Sequence, residues 1–420
     1  MSGAAAGLWW RLAWRNLWRN KRRTLLTASA LSFGFVASVL MIGLAGGVVE
    51  QMVRNGTEIV TGQIQIHDGE FLPERGIHDT LGKDSGVDLA VLLGAVDEIP
   101  NVVGAAPRVY GGGLVSSGDE TVGASLMGID PERESQVSAF AANLVSGSMP
   151  GPGEILLGAR LATDVEVAVG DEVVLVAPAA DGSLGNDLFV VSGTFNLDMA
   201  LLDRAFALLP LEDLQFLMAL PPTRVHEVAI RVEQTRDSEA AALMVGDAVE
   251  DLADGLLVQP WSEFLPQLHF FTSLATATNL VIAAMIFGMA VFGVANTMLI
   301  ATYERRREFA VVRALGTDRR DVGRTVVMEG VLLGMISLAA GVLIAAPLMV
   351  WIRTHPIDLS QWVGSYSMMG SAVRPLITVE FSWDGPLASA AALVTTGILS
   401  ALYPAWRAVR VPPADALSSR

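Results

Sequence analysis

Four long stretches of the chain contain almost no charged residue. Residues 25–49 and 274–301 number 25 and 28, and neither stretch contains a charge. Residues 326–352 number 27, with a single acid, Glu329, in the first turn, and residues 387–406 are 20 uncharged positions. A helix of about 20 mostly apolar residues can cross a bilayer because it satisfies its own backbone hydrogen bonds. The pattern therefore predicts four transmembrane helices.

Between the first two stretches lies a long segment, residues 50–270, in which alternating runs are mixed with amphipathic ones. Alternation of apolar and polar residues is typical of half-buried strands, and a 3.6-residue period is typical of helices. We expect strands at 62–67, 102–110, 121–129, 154–157, 172–177, 188–194 and 225–232, and helices at 88–99, 211–219 and 237–252. At 221 residues the segment is long enough for one or two small mixed subdomains. The predicted fold class is a four-helix membrane protein with a large α+β extracytoplasmic domain inserted between the first two spans.

The basic residues are concentrated outside the apolar stretches. Sixteen of the 28 Lys and Arg residues lie in three short segments, which precede the first stretch, separate the second from the third and follow the fourth. Segment 50–270 instead carries 10 basic and 35 acidic residues. Because basic loops remain in the cytoplasm, we expect an inner-membrane protein with both termini in the cytoplasm and the acidic segment in the periplasm.

These assignments divide the chain into nine parts. They are a cytoplasmic amphipathic helix over 1–24, spans over 25–49, 274–301, 326–352 and 387–406, the extracytoplasmic domain over 50–270, a cytoplasmic loop over 302–325, an extracytoplasmic loop over 353–386 and a cytoplasmic tail over 407–420.

The first 23 residues have a pattern of their own. Tryptophan and arginine each recur there every four residues, at Trp10, Trp14, Trp18, Arg11, Arg15 and Arg19. On a helix this places an aromatic face beside a basic stripe, which suits a helix lying among lipid headgroups. The same residues would also serve as a plain positive-inside signal. The apolar run that follows is too long for a signal peptide, so we expect an uncleaved anchor.

Composition restricts the chemistry of the chain. Its 420 residues are 52% apolar and 17% charged, with a mean hydropathy of +0.47 and a formal charge of −16, which excludes a purely soluble protein. The absence of cysteine excludes disulfides, zinc ribbons and thiol nucleophiles. The two lysines, Lys21 and Lys83, are followed by Arg22 and Asp84, so the chain has no P-loop. The histidines form no metal motif. We expect no enzymatic activity, no metal or cofactor and no nucleic-acid ligand.

The loop between the second and third stretches carries a short amphipathic segment, ERRREFAVVRALG at 304–316. Phe309, Val312 and Leu315 lie three apart, which predicts that they share one face of a helix, and Gly316 is placed to end that helix. Such a helix either docks into a soluble partner or is a solvated connector. Nearby, we expect Glu329 to cap its own helix or to pair with Arg324. The candidate coupling residues are Arg307, Glu308, Phe309, Val312, Arg313, Leu315 and Gly316.

The first span carries small residues at intervals of four, which allow close approach of a neighbouring backbone. This face is either a lateral gate and dimer seam or a packing surface within one subunit. Toward the outer end, larger apolar residues are available for contact with acyl chains. The candidate packing and gate residues are Ala30, Gly34, Ser38, Met41, Ile42, Gly43 and Gly47.

Four groups of motifs resemble those of a known permease family. They are LAWRN at 12–16 with RRT at 22–24, GEILLGA at 153–159 running on to VGD at 169–171, EFAVVRALG at 308–316 with EG at 329–330, and YPAWRA at 403–408 with PADAL at 413–417. Together they resemble the FtsX/MacB/LolC-LolE permeases, the type VII ABC transporters. MacB-type proteins carry a fused ATPase, whereas this chain has no P-loop. It is therefore most similar to the LolC/LolE lipoprotein-release permeases, as is GQIQIH at 62–67.

The resemblance implies a porter-type outer domain and a coupling helix that contacts a separate ATPase. Such permeases work as dimers by mechanotransmission, with a LolD/MacB-like ATPase pair that binds ATP and magnesium and with a second permease, identical or homologous. The implied function is release of a lipid or lipoprotein cargo toward a periplasmic carrier. The alternatives are MacB-type drug or peptide efflux and FtsX-like regulation of a cell-wall hydrolase.

One loop departs from the LolC pattern. LolC-like subunits carry an extended hook between two porter strands, which recruits a periplasmic carrier. At the matching place this chain has the short loop PAADGSLGND at 178–187, whose Asp-Gly and Gly-Asn pairs suit a hairpin turn. We expect a plain turn, with a carrier contact as the alternative. The candidate contact residues are Pro178, Asp181, Gly182, Leu184 and Asp187.

Overall fold

A computed structural model describes residues 3–72, 75–253, 255–358, 366–368, 371–373, 376–377, 379 and 383–410. The chain forms two compact units. We call Met1–Val49 with Ser273–Asp358 and Leu376–Arg420 the helical unit, and Glu50–Thr272 with Leu359–Pro375 the sheet unit. Parts of the predicted loop 353–386, and the PADAL motif in the predicted tail, lie outside the described residues.

The described elements follow one another in this order along the chain. The α-helices are α1 (Gly3–Arg19), α2 (Lys21–Glu58), α3 (Leu89–Asp97), α4 (Pro131–Val137), α5 (Ala159–Asp164), α6 (Leu202–Ala205), α7 (Leu211–Leu217), α8 (Ser238–Val249), α9 (Trp261–Phe264), α10 (Pro266–Glu304), α11 (Arg306–Ala314), α12 (Arg319–Thr354) and α13 (Asp384–Val409). Short 3-10 helices cover Lys83–Ser85, Ala141–Asn143 and Thr235–Asp237. The strands are β1 (Ile64–Asp68), β2 (Val102–Ser117), β3 (Glu120–Ile129), β4 (Leu144–Gly147), β5 (Glu154–Gly158), β6 (Glu172–Pro178), β7 (Leu184–Phe195), β8 (Phe206–Pro210), β9 (Glu227–Val232), β10 (Leu256–Pro260), β11 (Ile357–Asp358), β12 (Tyr366–Met368), β13 (Ser371–Val373) and β14 (Leu376–Ile377).

Four of these helices, α2, α10, α12 and α13, are long and apolar enough to cross a membrane. They correspond to the four predicted spans, and three of them continue well beyond the apolar stretches, to lengths of 36 to 39 residues. The extra turns are polar, so hydropathy alone did not reveal them. Helix α12 begins where the side chain of Asp318 accepts a hydrogen bond from the backbone N–H of Arg320, an N-cap that fixes its start.

The helical unit is held together most closely between α12 and α13. A Cβ placed on Gly330 would lie 2.4 Å from the carbonyl oxygen of Gly397, and one placed on Gly397 would lie 2.6 Å from the carbonyl oxygen of Gly330. Real Cβ atoms do not approach so closely, so the two backbones touch only because both residues are glycine. Glycine contacts of this kind let transmembrane helices pack by van der Waals forces at close range.

The sheet unit is built on one continuous ten-stranded sheet. Its order is β10-β1-β9-β2-β3-β8-β5-β7-β4, and β6 pairs with both β2 and β7. Strand β6 thereby closes β2, β3, β8, β5, β7 and β6 into a six-stranded ring. Seven helices, α3 to α9, belong to this unit, so its α+β class agrees with the prediction. One sheet runs through residues 64–260 of this unit, so its ten strands correspond to one mixed subdomain, the first of the two arrangements expected.

Strand β2 differs most from its prediction, which ended it at residue 110. The observed strand continues through three glycines to Ser117 and pairs with β3 over its whole outer half. At Gly113 a Cβ would lie 2.8 Å from the carbonyl oxygen of Val176 on β6. The absence of a side chain at Gly113 is therefore what allows β6 to approach and close the ring.

A fully buried ionic cluster lies in the sheet unit. The guanidinium of Arg108 donates from Nε and Nη2 to the two carboxylate oxygens of Glu134, at 3.0 and 2.6 Å, and from Nη1 to Glu227 at 3.1 Å. The hydroxyl of Tyr110 donates to the same oxygen of Glu227 at 2.6 Å. All three charged side chains have 0% exposure. Two carboxylates thus depend on one guanidinium, and the cluster ties β2 to α4 and β9.

His226 packs beside this cluster in its neutral form. Burial lowers the pKa of His226 to about 4. Its Nδ1 accepts a hydrogen bond from the backbone N–H of Tyr110, so its Nε2 carries the proton and donates to the carbonyl oxygen of Ile77. The ring of Phe71 stacks on the imidazole with centroids 5.5 Å apart.

Candidate functional site

The amphipathic segment predicted as a coupling helix is α11. The helix begins one residue before Arg307, the first candidate coupling residue, and ends two residues before Gly316, the last one. The backbone N–H of Gly316 donates to the carbonyl oxygen of Arg313, and Gly316 has a φ of 100°. A left-handed residue just beyond the last turn is the usual way in which glycine ends a helix. The prediction that Gly316 stops this helix is therefore confirmed.

The inward side of α11 packs into the helical unit. Phe309 and Ala310 are buried, and Phe309 joins the core formed by the long helices. The guanidinium of Arg305 lies over the Phe309 ring, 5.1 Å from its centroid. This corrects the expectation that Phe309 shares one face with Val312 and Leu315. At 3.6 residues per turn, steps of three drift around the helix, so Phe309 and Leu315 point in different directions.

Ion pairs connect α11 to α1 and α12. Glu308 accepts from Arg19 of α1 at 2.7 Å and from Arg305 at 3.4 Å. One oxygen of Glu329, on α12, accepts from Arg305 and from the side-chain amide of Asn16 on α1, both at 2.7 Å. We call these five residues the junction cluster.

The junction cluster corrects the expectation for Glu329, which neither caps its own helix nor pairs with Arg324. Arg324 instead pairs with Asp321 one turn earlier on the same helix, at 3.0 Å. The partners of Glu329 come from α1 and α11, distant in sequence, and no local spacing indicates them. The side chain of Glu329 is 9% exposed and that of Arg305 is 13% exposed, so this pair is the most shielded part of the cluster.

The charge of Glu308 is maintained by its partners. The hydrogen bond from Arg19 holds the pKa of Glu308 below its usual value, and the guanidinium of Arg305 acts in the same direction. The carboxylate therefore remains ionised at neutral pH. Because both Arg19 and Glu308 are about half exposed, we regard their contact as a guide to orientation more than as a source of stability.

The outward side of α11 is free of such contacts. It presents Arg307, Val311, Val312 and Leu315, with Leu315 83% exposed and the two valines each 43% exposed. We call these four residues the outward face of α11. Sequence reasoning included three of them but missed Val311, which a helical projection of the segment would have placed beside Leu315. Arg313 lies to the inner side, where it donates to the backbone carbonyl of Val409 at the end of α13.

The small residues of the first span, now part of α2, point in several directions. Ser38 is fully buried, and its hydroxyl lies 3.0 Å from that of Ser389 on α13. A Cβ on Gly34 would meet Ile286 of α10 at 3.8 Å, whereas Ala30 is exposed. Of the remaining candidates, Gly43 and Gly47 are buried and Met41 and Ile42 are half-buried. The small residues of the first span thus pack within the helical unit at Ser38, whereas the side chain of Ala30 is exposed.

Because the chain contains no cysteine, the Ser38 contact can be tested directly by cross-linking. We expect Ser38→Cys with Ser389→Cys to form a disulfide within one chain under mild oxidation, since the two hydroxyl oxygens are already in contact. Proteolysis in the sheet unit followed by non-reducing electrophoresis would leave the two fragments joined. The matched pair Phe33→Cys with Ser389→Cys should not cross-link, because Phe33 points away from the core. A disulfide-linked dimer in place of the internal link would contradict the packing.

The loop at 178–187 is a hairpin between β6 and β7, as expected from its turn residues. Pro178 pairs with Leu184, and Gly182 adopts a φ of 83° in the turn. The carboxylate of Asp181 accepts from the Ser183 N–H at 2.9 Å, and its hydrogen bonds with Ser183 lower the pKa of Asp181. Asp187 accepts from the N–H of the residue that follows it. These contacts account for Asp181 and Gly182 as turn-forming residues, whereas Asp187 lies within β7, opposite Leu175.

The hairpin is fixed against α7 and carries an exposed apolar residue. The N–H of Ala180 donates to the carbonyl oxygen of Met218 at 2.8 Å, and a Cβ on Gly185 would collide with the carbonyl oxygen of Leu217. Leu184 is 74% exposed, and Phe216, which precedes Leu217, is 80% exposed. Of the candidates for a carrier contact, Leu184 is the one whose side chain has no role in the turn.

Metal chemistry has no support in the described part of the chain. No group of three or more His, Asp or Glu residues there is arranged to hold a metal ion. Among the buried titratable residues of the sheet unit, Glu134 and Glu227 belong to the Arg108 cluster, and His226 makes hydrogen bonds with the backbone.

Two family models match the chain over most of its length. The model for the MacB-like periplasmic core domain matches residues 24–247, and the model for the FtsX-like permease C-terminal part matches residues 280–413. The first covers most of α2 and the sheet unit as far as residue 247, and the second covers most of α10 together with α11, α12 and α13. Both halves of the molecule are therefore accounted for by known permease domains.

Curated relatives match most of this chain at low sequence identity. The lipoprotein-releasing system transmembrane protein LolC of Xylella fastidiosa is 26% identical over 399 residues, which cover 91% of this chain and 94% of the relative. LolE of Haemophilus influenzae is 24% identical over 76% of this chain and 78% of the relative. A macrolide export protein MacB of Sodalis glossinidius is 23% identical over 95% of this chain and 58% of the relative.

Among solved structures, the periplasmic region of MacB from Actinobacillus actinomycetemcomitans aligns with 51% of this chain and 95% of that region. The identity is 11% and the TM-score is 0.36. The extracellular domain of the transporter YknZ aligns with 47% of this chain and 98% of that domain, with a TM-score of 0.32.

Proposed function

The chain belongs to the family of ABC transporter permeases that combine a MacB-like periplasmic core domain with an FtsX-like C-terminal part, and we propose that it releases lipoproteins from the inner membrane toward a periplasmic carrier. In this proposal both termini and α11 lie in the cytoplasm and the sheet unit lies in the periplasm. The distribution of basic residues supports this orientation.

The energy for release would come from a separate ATPase pair of the LolD/MacB type, which holds ATP and magnesium. The outward face of α11 is the observation that carries this part of the proposal. It combines a cationic residue, Arg307, with three exposed apolar residues on a helix at the arginine-rich end of the helical unit. An apolar centre with a charged rim is the composition expected of a surface that binds a folded protein.

The junction cluster gives this surface a means of transmitting motion. Arg305 and Glu308 hold α11 against Arg19 of α1 and Glu329 of α12, so a push on α11 is passed to both helices. In the proposed mechanism, closure of the ATPase pair displaces α11, and the spans of two permeases, identical or homologous, tilt. The periplasmic domains then close on the lipidated cargo and pass it to the carrier.

The β6–β7 hairpin is the surface that we propose for the carrier. Leu184 and Phe216 are apolar and exposed, and the hairpin is held rigidly by its contacts with α7. A rigid apolar anchor lowers the entropic cost of binding a soluble protein. Asp181 and Gly182 would act here by shaping the turn that presents Leu184, and Asp187 lies beyond the turn on β7.

Reconstitution with the co-purifying ATPase tests the proposal. Proteoliposomes containing both proteins should transfer a radiolabelled lipoprotein to a soluble carrier when ATP is supplied. Drug uptake or activation of a cell-wall hydrolase in place of lipoprotein transfer would refute the assignment of cargo and favour the MacB-type or FtsX-like alternative.

The contact between the outward face of α11 and the ATPase can be tested separately. Leu315→Asp should weaken binding of the ATPase about thirty-fold or more, because a charge would replace an apolar group at the centre of the contact. The matched control is Leu243→Asp on α8, where the leucine is also highly exposed but belongs to the sheet unit. Co-purification of the ATPase measures both. Unchanged binding to the Leu315 variant would remove α11 from the interface.

A further inference from the structure

A cavity of about 330 Å³ lies at the arginine-rich end of the helical unit, between the last turns of α10 and α13 and the first residue of α11. It is lined by two aromatic residues, Tyr303 and Trp406, and by three arginines, Arg306, Arg407 and Arg410. The YPAWRA motif contributes two of these five residues, and neither the junction cluster nor the outward face of α11 uses them.

The charge of this cavity is not balanced by protein carboxylates. No ion pair within the described residues involves Arg306, Arg407 or Arg410, and no acidic residue lines the cavity. The acids nearest in sequence to Arg306 are already engaged, since Glu304 pairs with Arg23 and Glu308 with Arg19. Within the described part of the chain, three guanidiniums therefore share one concave site that no carboxylate lines.

Aromatic rings hold two of the guanidiniums in place. Arg410 lies over the ring of Trp406 with its central carbon 3.9 Å from the centroid, and Arg407 lies over Tyr303 at 5.6 Å. Stacking of this kind leaves the N–H groups at the edge of each guanidinium free to donate. A planar, oriented guanidinium is the side chain best suited to bidentate contact with phosphate oxygens.

The surface beside the cavity is apolar. Ile300 on α10 and Leu399 and Leu402 on α13 are each about half exposed. Ile300 follows Leu299 of the cavity lining, and the two leucines lie one to two turns before Trp406. Tyr403, beside them, is also half exposed, as expected of a residue at the membrane–water interface. From the cationic cavity toward the bilayer centre, the order is arginine, aromatic ring, aliphatic side chain.

We propose that this cavity binds the phosphate group of an anionic phospholipid whose acyl chains lie along the exposed aliphatic residues of α10 and α13. Basic pockets between transmembrane helices are suited to anionic headgroups, and the aliphatic surface distinguishes a lipid from a soluble phosphate. The bound lipid would link the end of α10 to that of α13. This site is independent of the cargo and of the ATPase.

Native mass spectrometry of the full-length chain in detergent tests the site, with phosphatidylglycerol and phosphatidylcholine as probes. The unaltered chain should retain phosphatidylglycerol in preference to phosphatidylcholine, and retention should fall with rising salt. Arg407→Gln with Arg410→Gln should weaken retention about thirty-fold, from about fivefold for each cationic side chain lost near the membrane surface. The matched control is Arg319→Gln with Arg320→Gln, which removes the same charge from two exposed arginines at the start of α12 and should leave retention unchanged.

Four results would overturn the proposal. Equal retention of the two lipids by the unaltered chain would exclude a headgroup site, and this measurement does not depend on the folding of any variant. An equal loss of phosphatidylglycerol retention in the two double variants would mean that the lipid is attracted by the overall positive charge and not by this cavity. Displacement of phosphatidylglycerol by excess inorganic phosphate alone would make the cavity a site for soluble phosphate. Retention unchanged in the Arg407/Arg410 variant, with binding of the ATPase lost, would assign the arginines to a protein contact.

Discussion

Replacement of Arg108 by methionine is expected to destabilise the sheet unit by about 3–5 kcal/mol, the range observed when one partner of a buried ion pair is removed. Methionine fills a similar volume but leaves the carboxylates of Glu134 and Glu227 without their cation in a site with no solvent exposure. Chemical denaturation of the detergent-solubilised chain, followed by protease sensitivity of the sheet unit, measures the loss.

The sign of the pH dependence separates this explanation from a simple packing defect. In the Arg108 variant the two carboxylates must bind protons to remain buried, so its deficit relative to the unaltered chain should shrink as the pH falls. Arg133→Ala is the matched control, because the pair of Arg133 with Asp97 at 3.2 Å is more than one-third exposed. Its cost should stay below about 1 kcal/mol. A deficit that is small, or constant between neutral and acidic pH, would contradict the argument.

Replacement of Glu329 by glutamine is expected to lower cargo release by the reconstituted complex about tenfold while ATP hydrolysis continues. Glutamine has the same shape but no charge, so it weakens the hydrogen bonds that Arg305 and Asn16 donate to Glu329, bonds that are stronger when the acceptor is ionised. The outward face of α11 is unchanged, and the ATPase should still bind. The ratio of lipoprotein transferred to ATP consumed measures the uncoupling.

The control for this experiment lies on the same helix. Asp321→Asn removes the pair of Asp321 with Arg324, which is exposed and confined to one turn of α12, and should leave the ratio unchanged. An equal effect of the two variants would mean that the junction cluster transmits nothing. A Glu329 variant that loses release and hydrolysis in the same proportion would point instead to loss of ATPase binding.

The four spans were predictable from the sequence because a transmembrane helix needs about twenty consecutive apolar residues, a signal that few other elements give. Residues 274–301 lie within α10, yet the helix begins at Pro266 and ends at Glu304, because polar turns extend it on both sides. In the sheet unit, β8 was missed. Its five residues, FALLP, form a short apolar run that does not by itself distinguish a strand from a helix.

Contacts between distant segments were the least predictable part of the site. Glu329 and the basic loop were both recognised in the sequence. Arg324 was predicted as a partner of Glu329 because it is close in sequence, whereas the observed partners are Arg305 and Asn16. Phe309 was placed on one face of α11 with Val312 and Leu315 because its spacing matched. Its burial depends on space left by α12 and the other long helices, which no local pattern records.

The contact between Gly330 and Gly397 limits how this protein can move. Helices whose backbones touch cannot slide or rotate past each other without first separating, so α12 and α13 behave as one rigid body. A displacement that reaches α12 through Glu329 is therefore carried by α13 as well. In the proposed mechanism the change of angle therefore arises outside the α12–α13 contact, where this pair meets α2 and α10.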